Sequence, residues 1–198
     1  MSYSINTTLL TSSDPSLHFG RPSAAHANTR VDGAVAVRIR EVKEDKKHFL
    51  PLLLLADEQE NMIDHYLERG TLYVLEDGGV KAECVVTDEG AGILEIKNIA
   101  VAPTEQRKGY GKTLIAFLAR RYAGSHSVLQ VGTGESPLTI PFYEKCGFVR
   151  SHRVPNFFTD NYDHPIYEGG VKLVDMVYLR RHLHTSAAPA FCSSSDNR

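Results

Sequence analysis

One segment of the sequence combines basic side chains with glycines at the point where a strand pattern gives way to a helix pattern. The segment spans residues 95–113, and its basic and glycine residues are Lys97, Arg107, Lys108, Gly109, Gly111 and Lys112. The amides of such a loop and of a helix's first turn point at one place, where the helix dipole adds positive potential. Glycines let a phosphate approach the backbone without a side chain in the way. The segment therefore predicts a site for an anion such as a pyrophosphate.

Two common phosphate-binding motifs do not fit this segment. A Walker A loop, G-x-x-x-x-G-K-T, ending at Thr113 requires a glycine at the position of Gln106. A dinucleotide fingerprint, G-x-G-x-x-G, beginning at Gly109 requires a glycine at the position of Leu114. The segment therefore belongs to neither of these nucleotide-binding classes.

Two stretches of sequence resemble landmarks of the GNAT superfamily of N-acetyltransferases. Residues 106–111, Gln-Arg-Lys-Gly-Tyr-Gly, resemble its acetyl-CoA motif Q/R-x-x-G-x-G/A, and residues 98–101 resemble the cofactor-facing end of its fourth strand. Residues 131–134 and 137–148, in which Tyr143 precedes a Gly-Phe pair, resemble its fifth strand and fourth helix. Because the two landmarks occur in the family's order, the sequence is identified as a member of this superfamily.

The resemblance extends over about residues 35–183. Within it, residues 156–158, 162–163 and 175–176 are similar to one bacterial GNAT subfamily of unassigned substrate. The resemblance implies an α/β fold with a mixed, mostly antiparallel central sheet of about seven strands flanked by about four helices.

The resemblance also implies where acetyl-CoA lies. Its pantetheine arm would pair like a strand with the backbone of Ile99, Ala100 and Val101. Its pyrophosphate would lie on eight consecutive amides, those of Gln106, Arg107, Lys108, Gly109, Tyr110, Gly111, Lys112 and Thr113. No metal is expected, because the pair formed by His182 and His184 has no third ligand at a suitable spacing.

The catalytic residues are likewise implied by the family. Attack of an amine on a thioester needs a neutral amine, a donor for the oxyanion and a proton for the departing thiolate. The family's helix tyrosine, here Tyr143, would supply that proton, and Glu95 on the fourth strand would act as the base through water. The alternatives are that Tyr143 only packs beside Phe142 and Phe148, and that Glu95 turns towards solvent.

A stretch near the end of the domain is acidic and aromatic. It contains Asp160, Tyr162 and Asp163 in a predicted loop of about sixteen residues, a length that is typical of functional or mobile loops. Carboxylates and aromatic rings together suit an ammonium or guanidinium group. These three residues therefore predict a site for a small amine acceptor, and the alternative is a surface loop or a dimer contact.

The pattern of apolar residues predicts the elements that position these groups. Strands are predicted at residues 35–39, 71–76, 80–87, 92–102, 127–131, 148–154 and 171–180, and helices at residues 46–56, 58–69, 112–122 and 138–145. The strands at 71–76, 80–87 and 92–102 form an antiparallel meander. The helix at 112–122 then carries the chain over to a parallel strand at 127–131.

Composition limits the partners and the compartment. The 198 residues carry 22 Lys and Arg against 24 Asp and Glu, so nucleic acid is not an expected partner. No apolar run is long enough for a membrane span. Three widely separated cysteines, Cys84, Cys146 and Cys192, predict free thiols and a cytoplasmic protein. Residues 1–33 and 184–198 are predicted to be disordered tails, the first with weak features of an organelle-targeting peptide.

The sequence thus predicts an acyltransferase that moves the acetyl group of acetyl-CoA to a primary amine by direct attack in a ternary complex. The domain is expected at residues 34–183, in a monomer or a homodimer. The alternative is a CoA-binding regulatory or interaction module that has lost transfer activity.

Overall fold

A computed structural model of the protein describes residues 37–183. The two predicted tails, at residues 1–33 and 184–198, lie outside the described residues. No helix among the described residues is long and apolar enough to cross a membrane.

A seven-stranded mixed sheet forms the centre of the fold. Its strands are β1 (Arg38–Val42), β2 (Thr71–Glu76), β3 (Val80–Asp88), β4 (Ile93–Val101), β5 (Val128–Gly134), β6 (Val149–Val154) and β9 (Met176–His182). Their order is β1-β2-β3-β4-β5-β9-β6, and only β4 and β5 run parallel. Two short strands, β7 (Tyr167–Glu168) and β8 (Val171–Lys172), pair in a separate hairpin. The predicted meander, crossover and mostly antiparallel sheet are confirmed.

Helices cover both faces of the sheet. They are α1 (Leu50–Leu53), α2 (Glu60–Leu67), α3 (Tyr110–Tyr122), α4 (Thr139–Lys145) and α5 (Phe157–Asn161). On one face, α3 and α4 pack against the main core, which includes Leu94, Ile96 and Ile99 of β4. On the other face, α1 and α2 pack against Val74 and Val85. The strand β4 is therefore buried on both faces, as its nearly continuous burial shows.

The prediction of one continuous helix at residues 46–56 is wrong. A 3-10 turn at Lys46–Phe49 is followed by the single α-helical turn of α1. Pro51, which lies in the first turn of α1, has no amide hydrogen to donate to the preceding turn. The chain therefore begins a new helical turn there instead of continuing one helix.

Two predicted strands also differ from the structure. The first lies at Arg38–Val42, at the edge of the sheet, and Val37, which precedes it, is 50% exposed. The last, predicted at residues 171–180, is divided into β8 and β9. Between them, Asp175 accepts hydrogen bonds from the amide of Asn156 and the guanidinium of Arg153, which diverts the chain from the hairpin to the sheet.

Candidate active site

The parallel strands β4 and β5 separate halfway along their length. Their pairing covers Ile93–Ile96 of β4 and ends where Ile96 faces Val131. Beyond that point, within residues 37–183, β4 continues to pair with β3 and β5 with β9. One backbone edge of residues 99–101 therefore faces a gap in the sheet, an arrangement that can receive an extended ligand.

A bulge at Lys97 accompanies this separation. In the ladder between β3 and β4, Val86 faces Ile96 and Val85 faces Asn98, so Lys97 has no opposite residue. A bulge bends its strand and increases the local twist. It also changes the parity of β4, so Ile96 and Ile99 both point into the core shared with α3 and α4. Lys97 is fully buried.

A cleft of about 170 Å³ lies at the end of β4, where α3 begins. Its lining is basic and glycine-rich and consists of Val101, Arg107, Gly109, Tyr110, Gly111, Lys112 and Phe142. Six of these residues are among those that the sequence predicts for acetyl-CoA. The sequence interpretation missed Phe142 as a lining residue because its contribution depends on where α4 packs.

Backbone conformation holds this cleft open. Gly109 precedes α3 with φ +93°, and Arg107 also has a positive φ, of 64°. The first turn of α3 carries no acidic residue, so its amides and its dipole are free to face an anion. Tyr110 Oη donates a 2.6 Å hydrogen bond to Asp77, which ties the start of the helix to the turn between β2 and β3.

The remaining residues of the predicted cofactor set lie around this cleft without lining it. Gln106 Nε2 donates to the carbonyl of Val101 at 3.3 Å and braces the loop. Lys108 Nζ is paired with Glu105 at 2.8 Å. Thr113 Oγ1 donates to the Gly109 carbonyl at 3.1 Å. Ile99 and Ala100 are buried, and their backbone borders the gap described above.

Tyr143 lies on α4 and is completely buried. Its ring makes edge contacts with Phe142 and Phe148, with centroid distances of 5.2 and 5.5 Å. Its hydroxyl has no hydrogen-bond partner among the described residues. Burial raises the pKa of this hydroxyl well above its usual value. The ring of Tyr143 therefore packs in the core, while its hydroxyl group is left able to form a hydrogen bond with a bound ligand.

Glu95 lies on β4 and is buried, 2% exposed. Its Oε1 accepts a hydrogen bond from Lys97 Nζ at 2.7 Å, and its Oε2 accepts one from Gln130 Nε2 at 2.8 Å. Arg180 Nε in turn donates to Gln130 at 2.7 Å. Both oxygens of the predicted base are thus held in an inward-facing polar network, and the solvent-facing alternative does not occur.

A second buried carboxyl group, that of Glu168, lies at the start of α4. Glu168 is 1% exposed, and its Oε2 accepts a hydrogen bond from Thr139 Oγ1 at 3.2 Å. Its Oε1 has no partner in the described part of the chain. Burial raises the pKa of this carboxyl to about 7, while Ser136 and Thr139 act to lower it. Nothing in the local sequence signals this burial, because the hairpin that carries Glu168 is placed by tertiary contacts.

The three residues predicted for the acceptor have different surroundings. Tyr162 and Asp163 line a cleft of about 230 Å³, whereas Asp160 is exposed on α5 outside that lining. Asp163 accepts hydrogen bonds from Gln59 at 2.6 Å and is paired with His164, which lowers the pKa of its carboxyl. The structure therefore brings together two of the three predicted residues.

A buried carboxyl group that the sequence interpretation missed stands behind Tyr162. Asp57, in the connection between α1 and α2, accepts hydrogen bonds at 3.4 Å from the hydroxyls of Tyr162 and Tyr66. Tyr66 is itself bound by Asn98 Nδ2 at 2.9 Å. Burial raises the pKa of Asp57 to about 7. Hydrogen bonds through Asp57 and Tyr66 therefore connect Tyr162 to Asn98 of β4.

Metal chemistry has no candidate site within residues 37–183, where no three His, Cys, Asp or Glu side chains are grouped to hold an ion. The residues of the cleft and the gap are basic, backbone and apolar groups, which fit the phosphates and the extended arm of a CoA molecule.

Sequence and structure comparisons identify relatives over most of the chain. The uncharacterized N-acetyltransferase YvbK of Bacillus subtilis is 36% identical over 147 residues, which cover 72% of this chain and 94% of that protein. The IAA acetyltransferase from Bacillus cereus is 36% identical with a TM-score of 0.70 and covers 75% of this chain and 100% of that one. A GNAT family acetyltransferase from Elizabethkingia anophelis, solved with acetyl-CoA bound, is 33% identical with a TM-score of 0.71 and covers 74% of this chain and 98% of that one.

A family match agrees with these relatives. The profile of the acetyltransferase (GNAT) domain matches residues 68–150, which contain the cleft, the gap between β4 and β5, and α4. Together with relatives that are at least one third identical over nearly their whole length, this match shows that the chain belongs to the GNAT family of acetyltransferases.

Proposed function

We propose that this acetyltransferase moves the acetyl group of acetyl-CoA to a small primary amine by direct attack in a ternary complex. The observation that carries the proposal is the junction of the two features at the end of β4. A gap beside residues 99–101 opens onto the basic cleft that contains Arg107 and Lys112. A strand-like arm fits the gap and its phosphates fit the cleft.

The surroundings of Tyr143 favour acetyl transfer over simple binding of CoA. A buried hydroxyl without a partner costs free energy unless something donates to it or accepts from it. The thiolate that leaves acetyl-CoA needs a proton, and the raised pKa of Tyr143 keeps this hydroxyl protonated at neutral pH. We assign it the role of general acid. The base that the family resemblance implies is Glu95, which lies beside Lys97.

The acceptor is proposed to bind at the cleft that contains Tyr162 and Asp163, with Asp160 at its periphery. Both carboxylates would attract a cationic amine. His164 and Lys172 also belong to this region and limit its negative potential, so a compact amine with one or two positive charges fits better than a highly charged polycation.

Amine-dependent release of free thiol tests the proposal directly. The full chain is incubated with acetyl-CoA and with spermidine, glucosamine or a lysine peptide, and CoA thiol is measured with and without each amine. We expect binding of acetyl-CoA by calorimetry and amine-dependent thiol release with at least one acceptor. Binding without release for every amine supports the alternative, a CoA-binding module, and no binding at millimolar acetyl-CoA contradicts the cofactor site itself.

The cytoplasm remains our proposed compartment, and a homodimer remains a prediction of the sequence. Cys84 and Cys146 are both buried free thiols, which agrees with a reducing environment. Gel filtration with light scattering of the full chain measures the oligomeric state.

A further inference from the structure

The hairpin β7–β8 inserts one carboxyl group beside the separated half of β5. Thr133 of β5 donates a hydrogen bond to Thr139 Oγ1 at 3.1 Å, and Thr139 bonds to Glu168 Oε2. Leu173, just after the hairpin, packs so closely on Gly134 that a Cβ at that glycine would collide with it. Glu168 is therefore fixed against the end of β5, on the strand that borders the gap.

The same face of α4 carries Tyr143. Thr139 and Tyr143 are four residues apart and both buried, so they lie one turn apart on one face of the helix. Long side chains on a helix lean towards its N-terminus, which directs the Tyr143 hydroxyl towards the level of Thr139. After burial, the charge of Glu168 is the next contribution that raises the pKa of Tyr143, so the two groups are within electrostatic reach.

Five buried side-chain oxygens of residues 37–183 lack hydrogen-bond partners, and two of them belong to α4 and the β7–β8 hairpin. They are Tyr143 Oη, a donor, and Glu168 Oε1, an acceptor when the carboxyl is ionised. An acyl transfer to an amine needs one group that gives a proton to sulfur and one that takes a proton from nitrogen. The pair offers both.

We propose that Glu168 Oε1 is the general base that takes the proton of the acceptor amine, opposite the acid Tyr143. This inference rests on the proposed function. The ammonium form of the acceptor gives one proton to Glu168, and the neutral nitrogen attacks the thioester carbon. The C–N bond forms, the C–S bond breaks, and the thiolate takes the Tyr143 proton. The second proton on the nitrogen then passes to the Tyr143 oxygen and regenerates its hydroxyl, and the proton on Glu168 passes to solvent.

Glu95 is less suited to the same role because both its oxygens are engaged, one with Lys97 and one with Gln130. A base must accept a further proton, and removal of either contact would leave a buried polar group unpaired. Around Glu168 the neighbouring polar groups are the hydroxyls of Ser136, Thr139 and Tyr143, and none of them is a cation that would hold the carboxylate ionised at low pH.

The pH dependence of kcat/KM tests this assignment. With the best acceptor among spermidine, glucosamine and a lysine peptide, the wild-type protein should show an ascending limb near pH 7, where the pKa of Glu168 lies. In Glu168→Gln that limb should disappear, and activity should rise only towards the pKa of the amine. At pH 7.5 its kcat/KM should fall by roughly 10- to 1000-fold, with unchanged acetyl-CoA affinity. Glu144→Gln, which alters an exposed carboxylate on the same helix, should keep the wild-type profile.

A second variant keeps the test valid if Glu168→Gln does not fold. Thr139→Val removes a hydrogen bond that lowers the pKa of Glu168, so the limb should move to higher pH. The inference is overturned if folded Glu168→Gln keeps the wild-type limb, or if Thr139→Val leaves the limb unmoved where Glu168→Gln does not fold. It is also overturned if Glu95→Gln removes the limb and Glu168→Gln does not. Absence of transfer by the wild-type protein overturns the proposed function and the inference together, whereas active wild-type protein with an unchanged Glu168→Gln profile overturns the inference alone.

Discussion

Tyr143 is kept protonated by its surroundings. It is completely buried between aromatic rings, and Glu168 adds a negative charge within reach. Both influences oppose ionisation of the phenol, since each penalises a second negative charge in a medium of low polarity. A phenol of this kind is a poor spontaneous acid but an effective donor to a thiolate that forms next to it.

Replacing Tyr143 with Phe should lower kcat and leave the fold and the acetyl-CoA affinity unchanged. Only the hydroxyl is removed, and it makes no hydrogen bond within the described part of the protein. We expect kcat to fall by roughly 10- to 1000-fold, the range for loss of a positioned acid. Steady-state kinetics, with calorimetry for affinity, measure both quantities.

The donor thioester provides the control for this variant. A thiolate of lower pKa needs less help in leaving, so an acetyl thioester with a better leaving group should narrow the difference between wild type and Tyr143→Phe. A deficit that is equal for all leaving groups, or a wild-type kcat, would exclude the acid role and leave Tyr143 as a packing residue between Phe142 and Phe148.

At the level of elements, the junction between β4 and α3 forms the cofactor cleft. The strand ends at Val101, the loop turns through left-handed conformations at Arg107 and Gly109, and α3 begins at Tyr110 with Gly111 buried at its second position. Each part contributes a different property: an unpaired strand edge, a close backbone approach, and a positive helix end. No single residue of this set makes the site.

Gly111→Val should strongly weaken the binding of acetyl-CoA. Gly111 is buried and lines the cleft, so a branched side chain there would occupy space that the pyrophosphate needs. We expect Kd to rise roughly tenfold or more, equivalent to about 1.4 kcal/mol or more of lost binding free energy. Calorimetry and the ligand-induced shift in Tm measure this loss.

Gly124→Val is the matched control for Gly111→Val. Gly124 is exposed near the other end of α3, and an added Cβ would meet no atom within 4 Å. This variant should bind acetyl-CoA like the wild type. Wild-type affinity in a folded Gly111→Val protein would place the phosphate site elsewhere.

Asp163→Asn should weaken binding of the acceptor more than binding of acetyl-CoA. Asp163 lines the acceptor cleft and remains ionised, since His164 lowers the pKa of its carboxyl. Loss of this charge should raise the acceptor KM by roughly 3- to 10-fold at low salt and by less at high salt, because surface charges are screened. Steady-state kinetics with each substrate varied at two ionic strengths measure the effect.

Asp160→Asn removes an equal charge from the exposed surface of α5, outside the cleft lining. A smaller rise in acceptor KM is expected for it. Equal effects of Asp163→Asn on the KM of both substrates, or no effect, would assign the loop a structural role.

At the level of the whole molecule, sequence patterns predict those features that depend on residues close together in the chain. The loop at residues 106–111, the meander and the crossover follow from periodicity, glycines and the family motif. The buried acids Asp57 and Glu168 could not be found in this way, because a carboxyl is buried by contacts between distant segments. The bulge at Lys97 has a signal, since the apolar positions change parity between Ile96 and Ile99, but the partner strand is needed to recognise it.

Buried acids make the stability of the whole domain depend on pH. The pKa of Asp57 is about 7 in the folded protein and 3.8 for the ordinary side chain. Between these values the folded state keeps a proton that the unfolded state has released. Stability therefore falls as pH rises from about 4 to about 7 and levels off above, at a slope near 1.4 kcal/mol per pH unit for one carboxyl. Glu168 contributes with the same sign.

Asp57→Asn should remove the contribution of one carboxyl group to the pH dependence of the free energy of unfolding. The amide oxygen can still accept from Tyr66 and Tyr162, but the side chain no longer titrates. Urea unfolding at pH 4.5, 5.5, 6.5 and 7.5 gives the free energy of unfolding of both proteins. Between pH 4.5 and 6.5, the free energy of unfolding of Asp57→Asn should rise by about 2.5 kcal/mol relative to that of the wild type. Asp160→Asn, which removes an exposed carboxyl, is the matched control. Parallel curves for Asp57→Asn and wild type would show that Asp57 is ionised in the folded protein throughout this range, with its charge balanced by the hydroxyls of Tyr66 and Tyr162.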